Sequence, residues 1–330
     1  MTDLKTPAPS LGKQGARPTA GSVFGRLSIP LAIVVLLIIG SIASPSFLTA
    51  SNLLNVLNAN SAVGLVALGM TFVAVCGGLA DLSVPANVAM GALVTLGAQD
   101  VVGSVPAALL GILVATLGGL VNGLLVGYLR INPIIATLGT GSVLLGLSQL
   151  LIGGGIVYAE PSPIADFVSG DILGIPVFVW IFAIVALVLH PVLSRTAFGR
   201  WNLAVGGNYQ ASKASAVPVR FTKASAFVLT GLLSGMCGTL LALSNGQARP
   251  IIGTGYEFVA ITAVVIGGTS LFGGSGSVLR TVGGVLITAL IGNLIILIGF
   301  PTQATGLITG AIVLGAVGID AYFRRRAGRE

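Results

Sequence analysis

Long apolar runs separated by short polar connections fill the chain from residue 27 onward. They cover roughly 27–43, 61–76, 84–102, 106–128, 134–152, 176–194, 222–245, 256–272, 278–298 and 303–322. Each is near the ~20 residues that cross a bilayer as a helix. With the N-terminus inside, the distribution of Lys and Arg tests this count without any use of hydropathy, because basic residues concentrate on the cytoplasmic side. Lys5, Lys13, Arg17 and Arg26 precede the first run. Arg130, the group Arg195, Arg200, Lys213, Arg220 and Lys223, then Arg280, and finally Arg324, Arg325, Arg326 and Arg329 all fall inside as well. Only Arg249 falls outside, on the same side as Asp100, Glu160, Asp166, Asp171 and Glu257. A nine- or eleven-span count would put the four arginines of the tail on the wrong side. The expected fold class is therefore all-α: a polytopic membrane helix bundle of about ten transmembrane helices with both termini cytoplasmic. It divides into a cytoplasmic arm over 1–26, a transmembrane domain over 27–322 with a large cytoplasmic connection at 195–223, and a basic tail over 323–330.

Composition agrees with this division. Of 330 residues 55% are hydrophobic and 8% charged, against about 25% charged in a soluble domain. The 48 glycines show no collagen period and sit among Leu, Ile, Val and Ala, as in closely packed membrane helices. Small-xxx-small pairs at Gly119/Gly123, Gly123/Gly127, Gly231/Gly235 and Gly306/Gly310 read as packing contacts. The basic start followed by an apolar run resembles a signal peptide, and Ser41 to Ser44 could serve as a small-residue cleavage site. The long leader and the many later runs favour an uncleaved first span.

Enzyme and nucleic-acid functions find no support. The formal charge of +7 has no basic face with interleaved aromatics, so no nucleic acid is expected. Cys76 and Cys237 lie within apolar runs and read as buried thiols, and the single histidine, His190, cannot build a metal cluster, so no metal site is expected. HExxH, GxSxG with its partners and the GxxxxGK[ST] phosphate loop are absent from the sequence. The glycine-rich 267–277 segment lacks a lysine to meet a phosphate and reads as a tight connection between two spans. No catalytic residue and no bound cofactor are expected; any ATP must be bound by another chain.

Three features carry candidate function. The 195–223 connection holds five cations and no acid. In it Gly206–Gly207 are expected to break the chain, Asn208 to cap a short helix over Tyr209 to Ala216, and Pro218 to stop it. Its Ala- and Ser-rich surface with Lys213 projecting suits a partner's groove, and it equally suits a loop that merely obeys topology. Asp81 and Ser83 precede a helix with Pro85 in its first turn. Helix capping is the preferred account of them, and a place on a solute path the alternative, since an ionised acid at bilayer depth costs at least ~2.5–3.5 kcal/mol without water or a partner. Last, the uncharged polar residues within spans (Asn60, Thr71, Asn87, Asn122, Gln149, Asn245, Asn293) suit a polyol better than an ion. Hydrogen bonding between helices explains the same residues. Asn87 and Asn122 are the first candidates for a path.

These segments carry a resemblance. NLLNVL at 52–57, ALGMT at 67–71, GGLADLSV at 77–84, FGRW at 198–201 with GGN at 206–208, and VIGGTS at 265–270 with GGSG at 273–276 look like the permease subunits of ribose-type sugar ABC importers. The likeness runs from about Phe47 to Arg325. It implies that Gly207, Asn208, Tyr209, Gln210, Ala211, Ser212, Lys213, Ala214, Ser215 and Ala216 form a coupling helix seated on a cytoplasmic ABC ATPase. It also implies a second permease, identical or paralogous, a periplasmic sugar-binding protein that delivers the solute to outer loops such as 160–175, and a place in the bacterial inner membrane amid its lipid. Ser212 stands where the family usually has alanine, Ser215–Val217 replaces the usual Ser-Gly-Ile, and Pro85 replaces a glycine. Two other classes stay open: an ion-coupled secondary transporter, for which Asp81 and Glu257 are the only acids near span ends, and a permease of the related branched-chain amino acid importers.

Overall fold

The structure, a computed structural model, describes residues 20–301 together with 306, 307, 310, 311, 314, 315 and 318. Among these it is a helix bundle whose strands are each two residues long. Helix α1 (Ala20–Ala43) begins within the expected polar arm, because an apolar run marks the thickness of the bilayer rather than the end of a helix. The same holds for α2 (Ala50–Val75), which starts well before the apolar run at 61; Asn52, Asn55, Asn58 and Asn60 interrupt the hydropathy but not the helix. The run expected over 84–102 is divided into α3 (Val84–Gly97) and α4 (Gln99–Val102). Then come α5 (Ser104–Gly123), which passes into a π-helical turn over Leu124–Tyr128, and α6 (Pro133–Ile152).

A small cap follows, made of β1 (Val157–Tyr158), α7 (Pro163–Ser169), β2 (Asp171–Ile172) and β3 (Ile175–Pro176). The chain returns through α8 (Val177–Arg195), which carries Pro191 inside it, and α9 (Ala197–Gly207), then α10 (Tyr209–Ala214) and the long α11 (Val219–Asn245). Strand β4 (Gln247–Ala248) pairs antiparallel with β1, and β2 with β3. Helix α12 (Tyr256–Ile266) stops short of the expected 272, because Gly267 and Gly268 end it, and α13 (Val278–Leu297) follows. Six of these helices are long and apolar enough to cross a membrane, and Leu27–Ala43, Val84–Gly97 and Tyr256–Ile266 are apolar but shorter. The tenth run, 303–322, lies largely outside the described residues, as do residues 1–19 and the tail 323–330.

The bundle is organised around α2 and α11. Every residue of α2 from Ser61 to Val75 is buried, as expected of a helix that is apolar on all sides. Helix α11 crosses α5 and α3 at glycines. A Cβ on Gly231 would lie 2.8 Å from the Cα of Gly119, and one on Gly91 would lie 3.0 Å from the Cα of Gly235. Gly123 at the end of α5 and Gly127 in the π-helical turn meet Ala224 of α11 in the same way. Close backbone approach of this kind supplies dispersion contact where lipid removes the hydrophobic drive between helices. Gly306 and Gly310, also expected in such a contact, meet nothing within 4 Å among the described residues. The outward faces of α1, α5, α6 and α8 carry exposed Leu31, Ile38, Leu109, Leu113, Leu150 and Leu187, an apolar surface suited to a bilayer.

Cβ atoms at the α5–α11 crossing should therefore be poorly tolerated. Gly231→Ala places a methyl 2.7 Å from the carbonyl oxygen of Ala115, and Gly231→Val adds further crowding of a kind that costs about 1–3 kcal/mol. Thermal unfolding of the purified protein should show both variants destabilised, the valine more so. Gly139→Ala, which meets nothing within 4 Å, should be neutral or slightly stabilising. Equal unfolding temperatures for Gly231→Val and Gly139→Ala would contradict this packing.

Candidate functional site

The chain is interrupted between α2 and α3, and the interruption is where the polar side chains converge. Helix α2 closes with Gly77 N–H donating to the Ala74 carbonyl (2.9 Å) and Gly78 N–H to that of Val73 (2.9 Å). Gly77 (φ 74°) and Leu79 (φ 57°) then turn the chain through the left-handed region. Asp81 is fully buried. Its backbone N–H donates to the Met70 sulfur at 3.2 Å, and its Oδ1 accepts from both the backbone N–H (2.9 Å) and the hydroxyl (2.5 Å) of Ser83. The next backbone N–H, that of Leu82, donates to Thr137 Oγ1 of α6 (3.1 Å).

Ser83 is the hub. Its Oγ accepts from Asn87 Nδ2 (2.9 Å) on α3 and from Asn122 Nδ2 (2.7 Å) on α5, while Asn122 Oδ1 accepts from Thr140 Oγ1 (2.5 Å) on α6. The four residues singled out from sequence, Asp81, Ser83, Asn87 and Asn122, thus form one connected group with no exposed surface. The capping account is corrected. Ser83 occupies the N-cap position of α3 but makes no side-chain cap bond. The reason is local: Pro85 at the second helical position has no N–H to donate, and Ser83 lies at φ −82°, ψ −5° rather than in the extended conformation of a capping residue, so its hydroxyl turns to Asp81 instead. Asp81 Oδ2 and Asn87 Oδ1 remain buried without a partner.

This group lies behind a cleft. A cavity of about 530 Å³ between α5 and α6 is lined by Gly118, Thr140, Leu144 and neighbouring apolar residues. A side chain at position 118 would collide with Asn87 Oδ1, so the glycine leaves only its own backbone between the unpartnered amide oxygen and the cleft. Helix α6 on the far wall is the least buried of the six long helices, with 17% of its apolar window covered. The other polar positions have different partners. Asn293 pairs reciprocally with Asn52 at 2.9 Å, Thr71 meets Thr281 at 2.7 Å, and Asn60 donates to the Val56 carbonyl. Gln149 and Asn245 are exposed. For Asn293 and Thr71, bonding between helices is the whole account.

A second candidate region sits at the end of the bundle that carries Arg130, Arg195, Arg200, Lys213, Arg220, Lys223 and Arg280, while Arg249 lies on a connection at the other end. Here α9 and α10 form a bent pair. The expected chain break at Gly206–Gly207 is corrected: both glycines are helical, and the bend comes at Asn208, with φ −158° and ψ 103°. The glycines serve close approach instead. A Cβ on Gly206 would lie 2.5 Å from the Gly274 nitrogen and would collide with the Val75 carbonyl, and one on Gly274 would lie 2.7 Å from the Cα of Gly207. The 267–277 segment is thus pinned to both α9 and the end of α2, and Gly274 N–H donates to the Val75 carbonyl (2.9 Å). Phe72 stacks on Phe198 with centroids 5.9 Å apart.

Asn208 caps α10 through Oδ1, which accepts from the Ala211 N–H at 2.9 Å. Helix α10 ends at Ala214 rather than Ala216, because Ala216 turns to φ 57°. Gly207 closes α9 and does not belong to α10. Gln210, Ala211, Lys213, Ala214 and Ser215 are exposed, Tyr209 is half-buried, and Ser212 is buried against the body of the protein. Ser212 is therefore a supporting residue and not part of the exposed face.

With this geometry in place, comparison with known proteins is decisive. A family described as the permease component of branched-chain amino acid transport systems matches residues 52–317. The chain belongs to this permease family. Within it the chain is 37% identical over 308 residues to the ribose import permease of Bacillus subtilis, covering 90% of this chain and 93% of the relative. It is 36% identical to the ribose import permease of Escherichia coli K12 (88% and 92% covered) and 33% identical to the L-arabinose transport permease of the same organism (92% and 92%). No solved structure matches the chain.

Thr137 and Thr140 were missed by reading the sequence, although they complete the buried group. Threonine within an apolar run is common enough to carry no signal alone, since its hydroxyl can bond the helix's own carbonyls, and both also do so here. Their offset of three places them on one helix face, a signal that becomes readable only once that face is known to meet the break.

Ser83→Ala should be the most damaging single change in the group, because it strands donors on Asn87 and Asn122 and removes one donor from Asp81. Leaving buried polar groups unsatisfied costs about 1–3 kcal/mol each. Thermal unfolding should show a larger loss for Ser83→Ala than for Thr140→Val, which leaves one amide oxygen unmet. The reverse order would show that Ser83 is not the hub.

Proposed function

We propose that this permease forms the translocation path of an ATP-driven sugar importer in the bacterial inner membrane. The supporting observation is its match, over about nine-tenths of its length, to relatives named for ribose, D-allose and L-arabinose transport. The buried group is consistent with that substrate class. It offers amides and hydroxyls around a single carboxyl group, with no cation among them. A polyol can exchange hydrogen bonds with such a group, whereas the zwitterion of an amino acid calls for a positive as well as a negative partner. This favours sugar over a branched-chain amino acid, despite the broad description of the family.

In this reading the solute passes along the α5–α6 cleft, and outward movement of α6 uncovers Asn87, Asn122 and Ser83, with Asp81 behind them. The chain itself is a transport subunit. A separate cytoplasmic ATPase binds and hydrolyses ATP, a second permease copy or paralogue completes the path, and a periplasmic binding protein supplies the sugar and most of the selectivity. The ATPase seats on the exposed face of α10 around Ala211 and Lys213. Movement there reaches the spans because α9 is held to α2 and to the 267–277 segment by contacts with no intervening side chains. The basic end is then cytoplasmic, as the distribution of Lys and Arg requires.

The test is reconstitution with the cognate ATPase and binding protein in liposomes. Sugar uptake should require ATP and should survive a protonophore. Ala211→Glu combined with Lys213→Glu should lower uptake and permease-stimulated ATP hydrolysis by at least about tenfold, a loss equivalent to about 1.4 kcal/mol of coupling, with the permease still correctly inserted. Uptake that is indifferent to ATP and abolished by the protonophore would establish a secondary carrier instead.

A further inference from the structure

Beside α10 lies a second cleft, of about 340 Å³, whose lining includes Arg130, Lys223, Tyr209 and Asn132 together with the Gly77–Leu79 turn. Arg130 follows α5 and Lys223 lies in the first turns of α11, so two cations far apart in sequence converge on one space. None of the residues lining the cleft is acidic, and no acidic side chain pairs with either cation among the described residues. Lys223 rests on an aromatic face, and Arg130 sits on a constrained backbone. Lys223 Nζ stands 5.6 Å from the centroid of the Tyr209 ring, a cation–π distance. Arg130 has φ 59°, a conformation uncommon for a side-chain-bearing residue. It is fixed there between the π-helical turn, where Leu129 N–H donates to the Leu124 carbonyl (3.1 Å), and the Ile131 N–H bond to the Leu125 carbonyl (3.0 Å). Asn132 is already occupied, since its Oδ1 caps α6 by accepting from the Ile134 N–H.

We propose that this cleft is a second docking point for the ATPase, in which an acidic side chain of that partner is received between Arg130 and Lys223. The inference rests on the reading of α10 as the seat of the ATPase. Tyr209 is both the first residue of α10 and a wall of the cleft, so a partner seated on α10 lies beside the opening. Cations that only mark the inner side of the membrane need not converge, nor sit on a constrained backbone and an aromatic face. A carboxylate matches the site because guanidinium offers a planar pair of donors and ammonium a point charge, and a charge pair covered by the interface contributes to both affinity and orientation. The floor of the cleft is the turn that leads through Leu79 to Asp81, so occupancy at the docking surface bears on the segment that carries the buried polar group.

The experiment titrates the purified cognate ATPase onto the full-length permease in nanodiscs of phosphatidylcholine alone, so that no anionic headgroup is present to fill the cleft. Arg130→Glu with Lys223→Glu should weaken association by about tenfold or more and flatten its dependence on salt, because the screened attraction has become repulsion. Arg130→Gln with Lys223→Gln should move both quantities in the same direction by less, and guards against a folding defect in the reversed pair. Size-exclusion profile and unfolding temperature should match wild type for the Gln pair. Unchanged affinity and salt dependence in both cleft variants, alongside lost association in the Ala211→Glu/Lys213→Glu variant, would overturn the proposal and leave the α10 reading standing. Wild-type permease that binds no ATPase would overturn both. If anionic lipid co-purifies with wild type from native membrane but not with the reversed pair, and ATPase affinity is equal, the cleft is a headgroup site and the proposal fails.

Discussion

A backbone that leaves the helical path inside a bilayer-embedded bundle must find other partners for its N–H and C=O groups, since lipid offers none. The segment between α2 and α3 shows what that demands. Its donors go to the Val73 and Ala74 carbonyls, the Met70 sulfur, Thr137 Oγ1 and Asp81 Oδ1. Three of these acceptors are side-chain atoms, and one of them comes from another helix. Once Asp81 is drawn in to accept from Ser83, the serine hydroxyl becomes a focus for the amides of α3 and α5, and the group extends to α6. The interruption therefore creates the polar interior, and the polar interior holds four elements together at the place where an otherwise apolar bundle could admit a hydroxylated solute.

The opposite requirement, close contact without polar groups, governs the rest of the bundle. At the α5–α11 and α3–α11 crossings, and again where α9 meets the end of α2 and the 267–277 segment, the contacting atoms are backbone. Such contacts leave no flexible side chain to absorb a displacement. They join α9 to α2, which is also the helix that ends at the break. In the proposed function, the packing that a lipid solvent imposes on small residues and the transmission that an externally driven gate needs are the same set of atoms.

Helix α6 differs from its neighbours. It contributes Thr137 and Thr140 to the buried group, yet most of its surface is uncovered, and it forms one wall of a cleft whose other wall includes the glycine in front of Asn87. The segment is tied to the interior along one narrow strip, by the two hydroxyls, by Ala136 in the core and by Gly141, where a Cβ would lie 3.2 Å from the Cα of Ser83. The proposed outward movement of α6 would therefore exchange few bonds and disrupt little packing.

The sequence alone determined the class of protein, a polytopic membrane helix bundle, and drew attention to Asp81, Ser83, Asn87 and Asn122. Apolar runs of bilayer length, and polar residues in or beside them, are read from transfer free energies, which depend on composition along a single dimension. The cap of α10 at Asn208 was also legible, because capping is local. The tertiary structure decided what depends on three-dimensional contact. It showed that Asp81 and Ser83 bond to each other rather than cap α3, that Gly206 and Gly207 approach Val75 and Gly274 rather than break a helix, and that Thr137 and Thr140 complete the group. It also placed Arg130 and Lys223 on one cleft. Residues separated by tens of positions meet only after the helices pack, and a propensity or a hydropathy value carries no information about which face of a helix another helix will occupy.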